Sequence, residues 1–258
     1  MSRSARAAGG TTTHDAFLGG RLWLRQPRRG YRAGVDPVLL AAAVEARAGD
    51  SVLDLGCGVG TAMLCLHARV PGLQLTGVDL DPEACALARE NAAAAQARAE
   101  IVKADLRDLP MPVRERTFDR VLTNPPYFDR DAGARAADPG RDLGRGGDVA
   151  LEDWLDAAIR RVRPKGRLTV IQPMGRLHRV IATLHGRLGS LRIRPLAARH
   201  GRAPHLAIIE ARHGGRADLV MAPTLDLHEG AAHADDRPDY TSLVERILRG
   251  GEKLPITD

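Results

Sequence analysis

Four apolar runs in this chain end in a polar side chain able to hold a ligand: Asp54, Asp79, Asp105 and Asn124. The last lies in Val121-Leu122-Thr123-Asn124-Pro125-Pro126-Tyr127, where a β-branched run stops at Asn, two prolines and an aromatic. Proline cannot continue a central strand, and it pushes the residue before it into extended geometry. Asn124 should therefore stand stiffly just past a strand end. Its carboxamide, with neighbouring main-chain carbonyls, makes an acceptor pair suited to a planar NH2 group, and Tyr127 adds a flat face for a ring to stack on. The chemistry served by this spacing is capture of an amino-bearing ring. The same residues also spell an ordinary strand-to-loop turn, which Asn-Pro and Pro-Pro dipeptides often mark.

The second chemical signal is Ser51-Val52-Leu53-Asp54-Leu55-Gly56-Cys57-Gly58-Val59-Gly60-Thr61, a short buried strand, a glycine turn and the start of a helix running to about Val70. Glycines let main chain approach a ligand, and a helix N-terminus offers free N–H groups. The spacing is G-x-G-x-G, whereas the dinucleotide fingerprint wants its third glycine where Thr61 stands, so NAD is disfavoured. Asp54 would repel a pyrophosphate and welcome an ammonium group. Asp79, at the tip of the second strand, occupies the place where a ribose diol is usually held. Asp81 is better explained as the cap of a helix that Pro82 opens.

Positioning these groups requires parallel strands. The pattern predicts strands at Leu73–Val78, Glu100–Ala104 and Phe118–Thr123, with helices between them. Such connections bring the strand ends to one edge of an open sheet, where ligands bind. Asp36-Pro37 predicts a helix to about Arg47 with Asp36 as N-cap. A helix from Leu151 to about Arg163 is followed by a turn at Pro164-Lys165-Gly166 and a strand at Arg167–Gln172. A helix at Gly175–Leu188 and a closing antiparallel hairpin from Leu191–Ala197 and Leu206–Ala211 complete the sheet, with Leu219–His228 a candidate for one added strand. A last amphipathic helix spans Tyr240–Arg249. The expected fold is α/β, Rossmann-like, with a seven-stranded, mostly parallel sheet and one antiparallel strand near the C-terminus. The expected domain division is a disordered tail over 1–14, an N-terminal arm over 15–48, the main domain over 49–215 and an extension over 216–258 packed on it. Asp129–Val149, rich in Gly, Arg and Asp, is expected to form a mobile loop beside the pocket.

The chain has 258 residues, ample for a sizeable core, and a formal charge of +6 carried almost wholly by arginine, since Lys103, Lys165 and Lys253 are its only lysines. Arginine forks suit phosphate. The basic, aromatic-interleaved stretch Gln26–Arg32 can grip a nucleic-acid backbone or serve as a solvated arm. Three cysteines, Cys57, Cys65 and Cys85, without paired metal spacing fit a reduced, cytoplasmic compartment. No apolar run approaches membrane-spanning length, and no histidine pair has metal spacing, so neither a membrane nor a metal partner is expected.

Asp54-Leu55-Gly56-Cys57-Gly58-Val59-Gly60 resembles the cofactor loop of class I S-adenosylmethionine-dependent methyltransferases, and Asn124-Pro125-Pro126-Tyr127 their amino-methylating motif. Leu18-Gly19-Gly20-Arg21, Gln26-Pro27, Gly30–Asp36 and Leu39-Leu40-Ala41-Ala42 are similar to the bacterial tRNA(Val) adenine-N6-methyltransferase family, whose target lies beside the anticodon. That resemblance implies S-adenosyl-L-methionine as cofactor and tRNA as partner. Gly56, Cys57, Gly58 and Gly60 would cradle the methionine and ribose portions, and Gly34 and Asp36 would line the methionine end. Asp54, Leu80 and Leu106 would sit beside the cofactor, Asp79 would hold the ribose hydroxyls and Asp105 the adenine amino group. Asn124 and the Pro125 carbonyl would accept the two hydrogens of the target amine, with Pro126 stiffening the turn and Tyr127 stacking on the base. Arg21, Arg25, Arg28, Arg29, Arg32, Arg199 and Arg202 are the expected phosphate contacts.

Rival functions share parts of this pattern. The Asn-Pro-Pro-Tyr motif also occurs in enzymes that methylate rRNA guanine N2, DNA adenine and protein glutamine N5. The glutamine enzymes usually carry a helical domain ahead of the cofactor loop, and about fifty residues leave little room for one. A cofactor-binding RNA module without activity is the non-catalytic alternative.

Overall fold

The computed structural model describes residues 11–127, 149–230 and 239–257. The chain opens with an antiparallel hairpin, β1 (Thr12–Phe17) and β2 (Leu22–Pro27), in which alternate residues Leu22, Leu24 and Gln26 point inward. The β-branched Thr12 and Thr13 start this strand, so the tail expected to reach residue 14 stops short of Thr12. Residues 1–10, the rest of that tail, and 129–148 of the expected mobile loop lie outside the described residues.

After helix α1 (Asp36–Ala43) come β3 (Ser51–Leu55), α2 (Thr61–Arg69), β4 (Gln74–Asp79), α3 (Pro82–Ala94), β5 (Ala99–Lys103) and β6 (Phe118–Thr123). Helix Leu151–Ile159, β7 (Val162–Pro173), helix Leu177–Leu184, β8 (Gly189–Arg199), β9 (Leu206–Arg212), two short strands β10 (Val220–Met221) and β11 (Leu225–His228), and helix Ser242–Gly250 follow. The central strands β3, β4 and β6 and the second half of β7 are buried along most of their length because helices cover both sheet faces. One core lies against α1, α2, α3 and the hairpin. The other lies against helices Leu151–Ile159 and Leu177–Leu184.

The main sheet runs β10-β8-β9-β7-β6-β3-β4-β5, with β11 also on β8. The pairs among β3 to β7 are parallel, and β9 runs antiparallel to both β7 and β8. This is the expected fold with a correction in strand count: nine strands rather than seven. β10 and β11 occupy successive stretches of the free β8 edge, both parallel to it. They are two strands rather than one because Pro223 between them lacks the N–H that a continuous ladder needs.

Three further boundaries differ from expectation. Pro164-Lys165-Gly166 lies inside β7 as a shift in register with β6, Lys165 taking φ +67°, rather than ending a turn before the strand. Helix α1 stops at Ala43 because Val44 is extended. Asp36 is the first residue of α1, not its cap; Val35 holds the cap position and no side chain caps there. Asp81, by contrast, caps α3, its Oδ1 accepting the Glu83 and Ala84 amides at 2.8 and 3.4 Å.

Candidate active site

β3, β4 and β6 deliver Asp54, Asp79 and Asn124 to one sheet edge, and β5 delivers Asp105 two residues beyond its end. All four line a single cavity of about 340 Å³, within the range of small-molecule sites. Asp36, Gly56, Cys57, Gly58, Leu80, Leu106, Pro126 and Tyr127 line it too. Gly34, Gly60 and Pro125 do not, so these three expected site residues stand behind the wall. Sequence reasoning gave no site role to Trp154 on helix Leu151–Ile159, whereas Gln26 and Tyr31, read as part of a nucleic-acid-gripping or solvated arm, and Val149, read as the end of a loop beside the pocket, also face the cavity.

The glycine loop is satisfied by the protein itself. Gly56 and Cys57 amides both donate to the Val78 carbonyl, at 2.8 and 3.0 Å, the Gly58 amide donates to Asp79 Oδ2 at 2.7 Å and that of Gly60 to the Cys57 carbonyl at 2.8 Å. These loop amides are thus taken, so the loop itself offers shape rather than donors, while the start of α2 at Thr61 and Ala62 also faces the cavity. Gly56 adopts φ +79°, and a Cβ there would come within 2.4 Å of Trp154 Cζ2, so only glycine lets loop and indole meet. Trp154 Nε1 donates to Thr123 Oγ1 at 2.7 Å, and Thr123 Oγ1 donates to the Leu55 carbonyl at 2.6 Å. This chain ties the ends of β3 and β6 to the helix beneath the cavity.

Electrostatics separate the three carboxylates. Asp54 is 2% exposed and accepts the Met63 amide at 3.2 Å. Burial pushes its carboxyl up to about 7, with the Met63 amide opposing and Asp79 adding to the rise. Asp79 receives the Gly58 amide on one oxygen and the Asp81 amide on the other at 2.9 Å. Its carboxyl too is raised by burial, against the pull of the Asp81 and Gly58 amides. Burial also pushes up the Cys57 thiol, with Asp79 and Asp54 adding to the effect, which keeps it neutral on the cavity wall. Asp105 is different: the Arg107 guanidinium forks onto both its oxygens, at 2.6 to 3.1 Å, and holds its carboxyl below the usual carboxylate range.

The Asn124–Tyr127 wall is held from outside itself. Asn124 Oδ1 is buried without a hydrogen-bond partner. The Pro125 carbonyl accepts Gln172 Nε2 at 2.7 Å, and the Pro126 carbonyl accepts Arg176 Nη1 at 2.8 Å. The Tyr127 hydroxyl donates to Asp36 Oδ2 at 2.8 Å, so Asp36 orients the tyrosine ring instead of capping its own helix. Burial, the Asp36 charge and the hydrogen bond to it all raise the Tyr127 hydroxyl, and burial with Asp36 and Asp54 pushes Tyr31 up to about 12. Both rings stay neutral. Nothing in spacing pointed to Gln172 or Arg176, since each acts through a strand neighbour rather than from a recognisable motif.

The expected phosphate contacts divide by what they already hold. Arg21 donates to the Gly250 carbonyl, Arg32 pairs with Asp15 and bonds Thr13, and Arg199 binds the Glu229 carbonyl and Asp239. Those three pin secondary elements together. Arg25 lies 3.8 Å from Glu90 with both side chains well exposed, Arg28 sits just past β2, Arg202 is exposed between β8 and β9, and Arg29 lines the cavity.

The unpartnered Asn124 oxygen, the neutral aromatic rims and the carboxylates of Asp54 and Asp79 fit a cationic, ring-bearing cofactor such as S-adenosylmethionine. Comparison with known proteins agrees. Residues 33–188 match the family model described as methyltransferase small domain. The chain is 32% identical over 245 residues to a tRNA1(Val) (adenine(37)-N6)-methyltransferase of Porphyromonas gingivalis, covering 90% of this chain and 94% of that protein. It is 31% identical to the enzyme of that name from Haemophilus influenzae over 55% of this chain and 61% of the relative. Among solved structures, a predicted O-methyltransferase of Agrobacterium tumefaciens superposes with TM-score 0.68 at 26% identity, over 85% of this chain and 98% of that one. The fold alone is shared with a Thermus thermophilus 16S rRNA N2 G1207 methyltransferase, TM-score 0.55 at 18% identity over 82% of this chain and 53% of that one. The chain belongs to the methyltransferase small-domain family, class I enzymes that draw their methyl group from S-adenosylmethionine.

Proposed function

We propose that this enzyme transfers a methyl group to the exocyclic N6 amine of an adenine in tRNA, the nucleoside beside the anticodon of tRNA(Val) being the first to test. The observation that carries the reading is the buried, unpartnered Asn124 Oδ1 at the cavity wall. A buried acceptor left empty costs about 1–3 kcal/mol, a cost recovered when a donor enters.

An adenine amino nitrogen is a poor nucleophile because its lone pair is delocalised into the ring. Asn124 Oδ1 accepts one of its hydrogens, which draws the nitrogen toward pyramidal geometry and frees the lone pair. The Pro125 carbonyl stands behind the cavity wall and is held by Gln172, so Asn124 is the acceptor on which the reading rests. S-adenosylmethionine, when bound, supplies an electrophilic methyl group, and the protein's contribution is chiefly placement. Asp79 and Asp54 favour the cationic cofactor, and Asp79 would hold the ribose diol. Tyr127, its hydroxyl tied to Asp36, offers its face to a base that has left its stack. Arg25, Arg29 and Arg202 remain as phosphate contacts. A tRNA substrate carries a cytoplasmic location with it, and no helix among the described residues is long and apolar enough to cross a membrane.

The test is methyl transfer from radiolabelled cofactor to total tRNA, followed by digestion and mass spectrometry of nucleosides. N6-methyladenosine is expected. Label appearing on guanine N2, on protein glutamine or nowhere would overturn the proposal.

A further inference from the structure

The Asn124–Tyr127 segment has few ways to move. The pyrrolidine rings of Pro125 and Pro126 lock both φ angles near −65°. What remains soft is ψ at each proline, and ψ is the angle that swings the carbonyl. Each of those carbonyls is gripped by one side chain: Pro125 by Gln172, the penultimate residue of β7, and Pro126 by Arg176 in the turn that follows. The parallel register pairs Thr123 with Val170, so Gln172 comes level with Pro125 two residues beyond the last backbone pairing. There the prolines have no N–H to carry the ladder onward, and side-chain amide and guanidinium take over.

Gln172 is 0% exposed, and of its two polar side-chain atoms Nε2 is bonded while Oε1 is buried without a partner. An apolar residue would fill the same space without that unsatisfied oxygen. A donor aimed at one carbonyl is what this position retains.

We propose that Gln172 and Arg176 are positioning residues for methyl transfer, setting where Asn124 Oδ1 stands by fixing the two proline carbonyls after it. This rests on the assignment of Asn124 as amine acceptor. Neither residue touches the reacting atoms; both act through the backbone of the acceptor.

The experiment uses the full chain and three variants, Gln172→Leu, Gln172→Glu and Arg176→Met. Rates are taken on whichever nucleoside the wild type methylates and expressed per S-adenosylhomocysteine-binding site counted by calorimetry, so that unfolded protein drops out. Gln172→Leu should lower kcat about 10- to 100-fold, since a displacement of about 1 Å can cost ~100-fold. Its affinity for S-adenosylhomocysteine and its KM for tRNA should stay within about threefold. Arg176→Met should lower kcat less, because Pro126 stands one residue further from Asn124. Gln172→Glu supplies the readout that a filler role would not move. Burial raises a carboxyl's pKa, and only the protonated acid can donate to the Pro125 carbonyl. Its rate relative to wild type should therefore rise as pH falls from 8.5 to 6. Equal kcat for wild type and Gln172→Leu, or a Gln172→Glu ratio flat across that range, would overturn the proposal. A wild type that methylates something other than adenine would sink the substrate assignment and leave these ratios to decide the positioning role.

Discussion

The two walls of the cavity are built in different ways. The cofactor wall, from Asp54 to Asp81, is closed almost entirely by its own main chain: loop amides bind the Val78 carbonyl and Asp79, and helix amides bind Asp54 and Asp81. Those amide bonds span at most 22 residues of sequence, with Asn91 Nδ2 on the Val59 carbonyl and Thr123 Oγ1 on the Leu55 carbonyl as longer ties. The acceptor wall, from Asn124 to Tyr127, is held by side chains from distant elements: Asp36 on α1, Gln172 on β7 and Arg176 after it. A wall closed by backbone is rigid before any ligand arrives. A wall held by side chains can be tuned one residue at a time, which suits the side that must tell one acceptor from another.

That contrast can be broken by experiment, and the largest effect should fall on the acceptor wall. Asn124→Ala should lower kcat by ~1000-fold or more, removing a contact made to the reacting amine, while calorimetry with S-adenosylhomocysteine shows unchanged affinity. Loss of cofactor binding in that variant would merge the two walls into one. Asp79→Ala should do the reverse and weaken cofactor binding by ~100-fold, since charge-assisted hydrogen bonds are worth about 1.5–3 kcal/mol each. It also frees the Gly58 amide, so kcat at saturating cofactor should be much less affected.

A pH effect of intermediate size belongs to the cofactor wall. The folded-state carboxyl of Asp54 is raised from 3.8 to about 7 by burial. Its neutral form is the one the empty fold prefers, so the penalty for ionising it is absent below 3.8 and complete above about 7. A cationic ligand reverses that preference. S-adenosylmethionine should therefore bind about tenfold more weakly at pH 6 than at pH 8, with proton release on binding. Asp54→Asn should flatten the profile; an unchanged pH dependence in that variant would place the titrating group elsewhere. The smallest effect should come from Arg107→Ala. Releasing exposed Asp105 from its guanidinium partner should change cofactor affinity by no more than about threefold, upward, because solvent already screens the pair. A larger drop would mean that Arg107 itself contacts the ligand.

Legibility in the sequence tracks the same division. The strands that carry the site were readable because a covered parallel strand is rich in apolar residues up to a polar end, as at Val52–Asp54 and Val121–Asn124. The Asp81 cap was readable because Asp-Pro at a helix start is decided within four residues. Asp36-Pro37 looked the same and was misread, since its carboxylate is claimed by Tyr127, 91 positions on. The paired strands β10 and β11 were read as one, the local weight of Pro223 being underestimated. Trp154 went unassigned because its indole finds Thr123 and Gly56 only after helix and sheet have docked.

From residue types and spacing alone came the open α/β sheet, the four polar strand ends and the glycine loop, all features decided by short-range sterics and the period of apolar burial. Tertiary structure alone decided which of those polar groups were already spoken for: the loop amides by Val78 and Asp79, Asp105 by Arg107, the proline carbonyls by Gln172 and Arg176. Hydrogen-bond capacity is spent on whatever packing brings near. For that reason the emptiness of Asn124 Oδ1, on which the chemistry turns, became visible only once the chain had folded.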